Sequence, residues 1–374
     1  MSHHSSARSR TTLGALGVSI LTLVLAAGVA SAATPTTQKQ YRLVKEDGPG
    51  LTLRLVDAPV RRPGPREVLV RVRASSLNRR DIMVARGQYP IGNRESLVPL
   101  SDGAGEVVEV GPGVTRFKVG DRVAAIFFQG WIEGRMPPMA AATALGGELD
   151  GMLSQYVTLS EEGLVHIPAH LSYEEAATLP CAGVTAWNGL FTRGRLQADD
   201  YVLLEGTGGV SILGLQLAVA AGARPIITSS SDAKLERARA LGAVGTLNYR
   251  TTPQWGAKVR ELTGGTGVHH VLEVGGKDSL PQSLEAIAHG GHIALIGGLG
   301  GFAGAIPPGT LMRANVTVSG LYVGSRADFE AMNAFIEQHR VKPVVDRVFD
   351  FEDAPAAYEY MENGSHFGKI VIRH

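Results

Sequence analysis

The sequence predicts an α/β protein: an all-β unit, read as a partly open barrel, followed by a doubly wound parallel sheet of six strands. Three observations predict it. From Tyr41 to about Pro168, short segments alternate apolar and polar residues between Pro and Gly turns. After Cys181, short apolar strands alternate with helical runs, which requires parallel crossovers. At the head of that second part, Tyr201-Val202-Leu203-Leu204-Glu205 enters the turn Gly206-Thr207-Gly208-Gly209-Val210-Ser211, which opens into an apolar helical run.

Each element follows from its residues. In the β unit, residues 51–55 and 67–72 alternate with period two, and 105–110 end in Gly111-Pro112-Gly113. Gly120-Asp121-Arg122-Val123 opens a further strand. In the second part, strands are expected at 201–205, 225–229, 245–249, 269–274, 292–296 and 315–323. Helices are expected at 211–221, 232–241, 253–262 and 280–288, with a last one near 327–339. Lys369-Ile370-Val371-Ile372 closes the chain as a strand with no obvious place in the parallel sheet, so it can return to the β unit.

The glycine turn is the first pointer to chemistry. Glycines let the backbone bend and approach a pyrophosphate, whose charge rests on the N–H groups of a helix start. Ser211 stands where a third glycine is expected, so the strand before and the helix after carry the reading. Lys+Arg 36 against Asp+Glu 35 leaves no basic excess to support nucleic-acid binding. Cys181 is the only cysteine, which excludes an intramolecular disulfide and a structural zinc site of several thiolates. Arg8 and Arg10 precede an uncharged apolar stretch, 13–29, and then Ala30-Ser31-Ala32. Residues 1–33 therefore read as a secretory signal peptide implying export, with an uncleaved membrane anchor as the alternative. Residues 34–40 read as a polar linker.

Longer phrases carry a resemblance. Ser101-Asp102-Gly103-Ala104-Gly105-Glu106-Val107, the run from Gly113 to Val123, and Leu179-Pro180-Cys181-Ala182-Gly183-Val184-Thr185-Ala186-Trp187 resemble the medium-chain dehydrogenase/reductase superfamily. The branch is that of zinc-type alcohol dehydrogenase-like proteins, near the quinone oxidoreductases. The resemblance implies a GroES-like catalytic domain at 41–182 and a Rossmann NAD(P)-binding domain at 183–325. It also implies a segment, 326–374, returning to the catalytic domain, and a homodimer formed by edge pairing of the nucleotide-binding sheets. Where zinc-dependent relatives place their metal ligands, this chain has Asn78, Ser101 and Cys181. One thiolate cannot hold a catalytic zinc alone, so no metal is expected.

Without a metal, hydrogen-bond donors must polarise the acceptor of hydride. The resemblance places Asn78 beside the nicotinamide ribose, Tyr89 as a proton donor and Thr185 on the nicotinamide face. For Asn78-Arg79-Arg80-Asp81 the alternative is a capped helix start, and for Tyr89 an aromatic packed under a Pro turn. Phe127, Phe128 and Trp131 can wall a pocket or be plain core. Gly206, Thr207, Gly208, Gly209 and Val210 form the expected phosphate cradle.

The second strand ends Ser229-Ser230-Ser231 with no acid before Asp232, and Lys234 and Arg237 stand nearby. An NAD site usually has Asp or Glu there for the ribose hydroxyls, so NADPH is favoured over NADH. Ser231 or Asp232 can equally cap the next helix. The resemblance adds Tyr249, Val274, Gly275, Gly297, Val323, Gly324, Ser325, Gly368 and Lys369 as cofactor contacts, with Lys369 a phosphate partner or a solvated cation. The expected activity is zinc-independent hydride transfer between NAD(P)H and a small-molecule carbonyl, alcohol, quinone or activated alkene. The rivals are an NAD-dependent alcohol dehydrogenase and a non-catalytic NADPH-binding protein.

Overall fold

Strand pairing sorts the described residues into three sheets. The computed structural model describes Ala7 and residues 34–46, 50–89, 94–306 and 308–374. The elements belong to the unit Pro35–His374; the segment 1–33, read as an export signal, lies outside the described residues except for Ala7.

The β unit comprises β1 (Thr37–Lys45), β2 (Leu51–Pro59), β3 (Glu67–Ser76), β4 (Ser96–Leu97), β5 (Asp102–Val110), β6 (Arg122–Ala125), β7 (Tyr156–Ser160) and β8 (Leu164–His166). Their pairings are antiparallel: β2-β1-β4 in one sheet, and β3-β5-β6-β8 in another with β7 on β3. The expected linker is shorter than 34–40. β1 begins at Thr37 and pairs with Pro59, because Gln38 is buried and accepts from Ser154 Oγ at 2.9 Å. A polar run can be a strand when its polar groups find partners inside.

The second part contributes β9 (Tyr201–Leu204), β10 (Arg224–Ser229), β11 (Gly245–Asn248), β12 (Val268–Glu273), β13 (Ile287–Leu295) and β14 (Thr317–Gly320). Their order is β11-β10-β9-β12-β13-β14 and every pair is parallel. The order reverses between β9 and β12, and the crevice at their carboxyl ends is where such sheets bind ligands. Val202, Leu203 and Leu204 are fully buried, as a strand covered on both faces demands. Helix Gly209–Ala220 passes close over the sheet at Gly214, where a Cβ would stand 2.8 Å from the Leu272 side chain. The expected sixth strand, 315–323, is confined to Thr317–Gly320, because Asn315 and Val323 take left-handed φ of 52° and 57°.

The remaining strands are β15 (Val345–Asp350) and β16 (Lys369–Arg373). β16 pairs antiparallel with β3 in the barrel sheet and parallel with β15, outside the six-stranded parallel sheet as its sequence suggested. The residue just before it, Gly368, bridges Gly208 in the glycine turn. One short strand thus ties the end of the chain to both the barrel and the crevice.

Candidate functional site

Gly206 turns the chain at the end of β9 with φ +72°, a conformation that favours glycine. No protein atom lies within 4 Å of where a Cβ would stand on Gly206 or Gly208. Gly208 is the N-cap of helix Gly209–Ala220 and supplies no side-chain acceptor, so the first-turn N–H groups, Gly209 and Val210 among them, are left for an anion. Ser211 is buried and its Oγ donates to Glu205 O at 2.6 Å, which absorbs the departure from glycine internally. Thr207 O accepts from Gly368 N–H at 3.0 Å. This open backbone at a helix start fits a dinucleotide diphosphate.

On one flank, Val274 and Gly275 donate their N–H groups to Glu205 Oε2 at 3.1 and 3.2 Å. Gly297 lies so near that a Cβ there would be 2.9 Å from Val274 O. Val323 O accepts from Asn188 Nδ2 at 2.7 Å, and Thr185 is buried one turn before Asn188. Gly324 could not carry a Cβ without meeting Val184 Cγ1 at 2.7 Å. Ser325 caps helix Arg326–His339, donating from Oγ to Asp328 Oδ2 at 2.7 Å. Asn188 escaped sequence reasoning; a lone amide inside an apolar helical run was its only signal.

On the other flank, Ser229 ends β10 and Ser230 follows it. Ser231 caps helix Asp232–Ala240 by accepting from Lys234 N–H at 3.5 Å. Asp232 Oδ1 accepts from Asn248 Nδ2 at 2.8 Å. Lys234 Nζ donates to Gly364 O at 2.9 Å, and Arg237 pairs with Asp346 at 3.3 Å while lying 4.1 Å over Phe367. Burial first, then the nearby Lys234 charge, holds the His366 imidazole down to about 4. Tyr249 is 42% exposed beside this cluster, its N–H donating to Ser229 O at 3.1 Å.

Across the crevice lie the barrel residues. Asn78 is the N-cap of helix Arg79–Ala85, and its N–H donates to Asp81 Oδ2 at 2.7 Å. Burial, opposed by Arg80, raises the Asp81 carboxyl to about 7. Lys369 is 3% exposed, so it does not stand solvated, and its stem packs against the glycine turn, where a Cβ on Gly209 would lie 2.5 Å from Lys369 Cδ. Nζ donates to Leu77 O and Asn78 Oδ1, both at 2.6 Å, and lies 3.6 Å from Asp102 Oδ2. Buried acceptors that would otherwise lack donors hold it there. Asp102 Oδ1 accepts from Ser101 Oγ at 2.7 Å and Oδ2 from Cys181 N–H at 3.3 Å. Burial, then the Asp102 charge, pushes the Cys181 thiol up, so it is not a ready nucleophile.

Tyr89 and Tyr322 are joined hydroxyl to hydroxyl. Burial, then that bond, pushes the Tyr89 phenol above its ordinary value. The Arg80 guanidinium lies 5.1 Å over the Tyr89 ring and 4.6 Å over Phe127, and donates to Leu145 O at 2.8 Å. Phe127, Phe128 and Trp131 are buried core, with Tyr322 packed 5.0 Å from Phe128 as the outer layer.

The positions matching metal ligands therefore present an amide, a hydroxyl already donating to Asp102, and a protonated thiol. A buried ammonium lies among them. Zinc needs three good donors and tolerates no cation in its place, so these residues do not fit it. Among the described residues, no group of three or more His, Cys, Asp or Glu side chains is placed to hold a metal.

Residues 64–169 match the family described as "Alcohol dehydrogenase GroES-like domain" and residues 209–338 the family described as "Zinc-binding dehydrogenase". The chain is 45% identical over 316 residues to a zinc-type alcohol dehydrogenase-like protein of Schizosaccharomyces pombe, covering 83% of this chain and 91% of that one. This chain belongs to the medium-chain dehydrogenase/reductase superfamily. The solved structure of an NAD-dependent alcohol dehydrogenase superposes on this dehydrogenase/reductase with a TM-score of 0.80 at 34% identity, covering 90% of this chain and 99% of that one. A crotonyl-CoA carboxylase/reductase gives a TM-score of 0.80 at 27% identity over 91% and 88% of the two chains. The protein is an NAD(P)-dependent oxidoreductase of this superfamily.

Proposed function

We propose that this medium-chain dehydrogenase/reductase works without zinc, prefers NADPH, and moves hydride between nicotinamide and a carbonyl, alcohol, quinone or activated alkene. The observation that carries the metal-free half is the Lys369 ammonium on Leu77 O and Asn78 Oδ1, 3.6 Å from Asp102. It brings a positive charge to the place that a metal serves in zinc-dependent relatives.

When bound, the nicotinamide supplies or accepts the hydride. The protein's own part is binding, orientation and the proton. The open glycine turn and the free N–H groups of helix Gly209–Ala220 take the diphosphate. Ser229 and Ser230, with Lys234, Arg237 and His366 gathered beyond them, suit a 2′-phosphate, while Asp232 is engaged by Asn248. In the reducing direction, hydride adds to the acceptor carbon and the Tyr89 O–H proton goes to the oxygen or carbon left negative. Tyr322 then donates to the phenolate, and the Arg80 charge stabilises it.

Strand β14 pairs with β13 alone among the described residues, and Leu299, Phe302 and Met312 near it are 65%, 80% and 80% exposed, which supports a homodimer through that edge. Export through residues 1–33 is read from sequence and tested by sequencing the mature N-terminus.

The deciding experiment titrates purified protein with NADPH and NADH, then measures metal content and turnover on enones, quinones and aldehydes. Tighter NADPH binding, turnover and no stoichiometric zinc are expected. Tighter NADH binding overturns the cofactor reading, and stoichiometric zinc overturns the metal-free reading. A cofactor complex with no turnover on any of them favours the non-catalytic rival.

A further inference from the structure

Two carboxyl groups are buried together at the carboxyl ends of β9 and β12, directly behind the glycine turn. Glu205 is 5% exposed and Glu273 fully buried. Ser283 Oγ, from helix Leu280–Ala286, lies 2.6 Å from Glu205 Oε1 and 2.7 Å from Glu273 Oε2. A hydroxyl carries one proton, so Ser283 donates to only one of them. At such a separation the second pair of oxygens also needs a hydrogen between them. That hydrogen can only belong to a carboxylic acid that donates to Ser283 Oγ. The pair therefore carries one proton.

The outer oxygens hold a turn. Glu205 Oε2 accepts from Val274 and Gly275 N–H at 3.1 and 3.2 Å. Glu273 Oε1 accepts from Gly275 and Gly276 N–H at 2.8 and 2.9 Å and from Ser279 Oγ. Among the described residues packed against the pair, no cation offsets the charge. In helix Trp255–Leu262, Lys258 pairs with Glu261, and Arg260 donates to carbonyls such as Glu285 O at 3.0 Å. In the covering turn and helix, Lys277 and Asp278 lie against Gly301 and Gly300, and Glu285 is exposed. β10 offers Thr228, and helix Gly209–Ala220 has no charged residue. His270 and His292 fall on the opposite face, since Val271 and Ile293 are on this one. Burial, then the adjacent Glu273, holds the proton on Glu205 well above the usual carboxylate range.

We propose that Glu205, Ser283 and Glu273 form a one-proton clamp, and that this clamp positions the turn Val274–Gly276 against the glycine-rich cradle for the cofactor. The cofactor half rests on the reading that the crevice takes NAD(P)H. The proton half does not.

Glu205→Gln supplies the hydrogen permanently: its amide donates to Ser283 and its oxygen still accepts from Val274 and Gly275. Unfolding of the wild type releases the shared proton, because an unfolded glutamate is ionised above its ordinary pKa. The ratio of unfolding constants, wild type over E205Q, is expected to rise about tenfold per pH unit between about pH 5 and 7. A ratio independent of pH overturns the shared proton. The carbonyl stretch of a protonated carboxylic acid, present in the wild type at neutral pH and missing in E205Q, is the parallel infrared readout. For positioning, E205Q is expected to bind NADPH within about threefold of the wild type, whereas Glu205→Leu weakens it about tenfold or more. Wild-type affinity in E205L overturns the positioning role. If E205L does not fold, Ser283→Ala, which keeps both carboxyls and removes the bridge, reads the same loss. A wild type that binds neither NADPH nor NADH sinks the functional reading alone, since the pH and infrared tests use the protein without cofactor.

Discussion

Lys369→Met removes the ammonium around which Leu77 O, Asn78 Oδ1 and Asp102 are gathered. The methionine keeps much of the stem's volume, so the loss is mainly electrostatic. Leu77 O and Asn78 Oδ1 lose donors that stand at 2.6 Å, and Asp102, fully buried, loses its counter-charge at 3.6 Å. Removing one partner of a buried ion pair costs about 3–5 kcal/mol. Protonation of Asp102 limits the loss, because burial already raises that carboxyl above its ordinary value despite Lys369. In the variant the folded state binds a proton that the unfolded state releases. Wild type shares this loss from the unfolded aspartate's pKa of about 3.9 up to the raised pKa of its own Asp102, so the variant's deficit grows only as pH rises above that second value. Thermal and urea unfolding of wild type, K369M and the double variant K369M/D102N at about pH 5 and pH 8 make the test. About 3–5 kcal/mol is expected at the higher pH, with less at the lower and substantial recovery in the double variant. A loss below about 1 kcal/mol, or one equal at both pH values, would refute the buried pair as the organising contact.

Other perturbations separate the remaining roles. Tyr89→Phe is expected to lower kcat about 10²-fold or more with NADPH affinity unchanged, and Tyr322→Phe to lower it less, read by steady-state reduction of an enone panel. Ser230→Asp sets a carboxylate where a 2′-phosphate would lie, so NADPH affinity should fall about tenfold or more with NADH spared, measured by fluorescence titration. His292 is 7% exposed, and burial, then His270, lowers its imidazole to about 4. It stays neutral in the folded state while the unfolded chain protonates below about 6.5, so stability falls as pH drops from there to about 4, by up to about 3 kcal/mol. In His292→Gln that part of the acid slope should vanish from the pH dependence of unfolding.

The chain's local chemistry was readable wherever the cause was local. Period-two alternation marked β3 and β5, and six apolar runs separated by helical ones marked the parallel sheet, because side-chain direction repeats within a few residues. The glycine bend at Gly206 and the helix cap, which fell to Ser231 and not to Asp232, depend on immediate neighbours. Lys369 does not. Its acceptor Asn78 is 291 residues away, and only the pairing of β16 with β3 and the bridge from Gly368 to Gly208 bring the two together. Asn188 on Val323 O, Tyr322 on Tyr89, and the shared proton between Glu205 and Glu273 are of the same kind. Sequence alone set the strands, the helices and the anion-ready turn, since those are matters of backbone and periodicity. Tertiary structure decided which buried polar groups meet, because a donor is committed by the acceptor that folding carries to it from far along the chain.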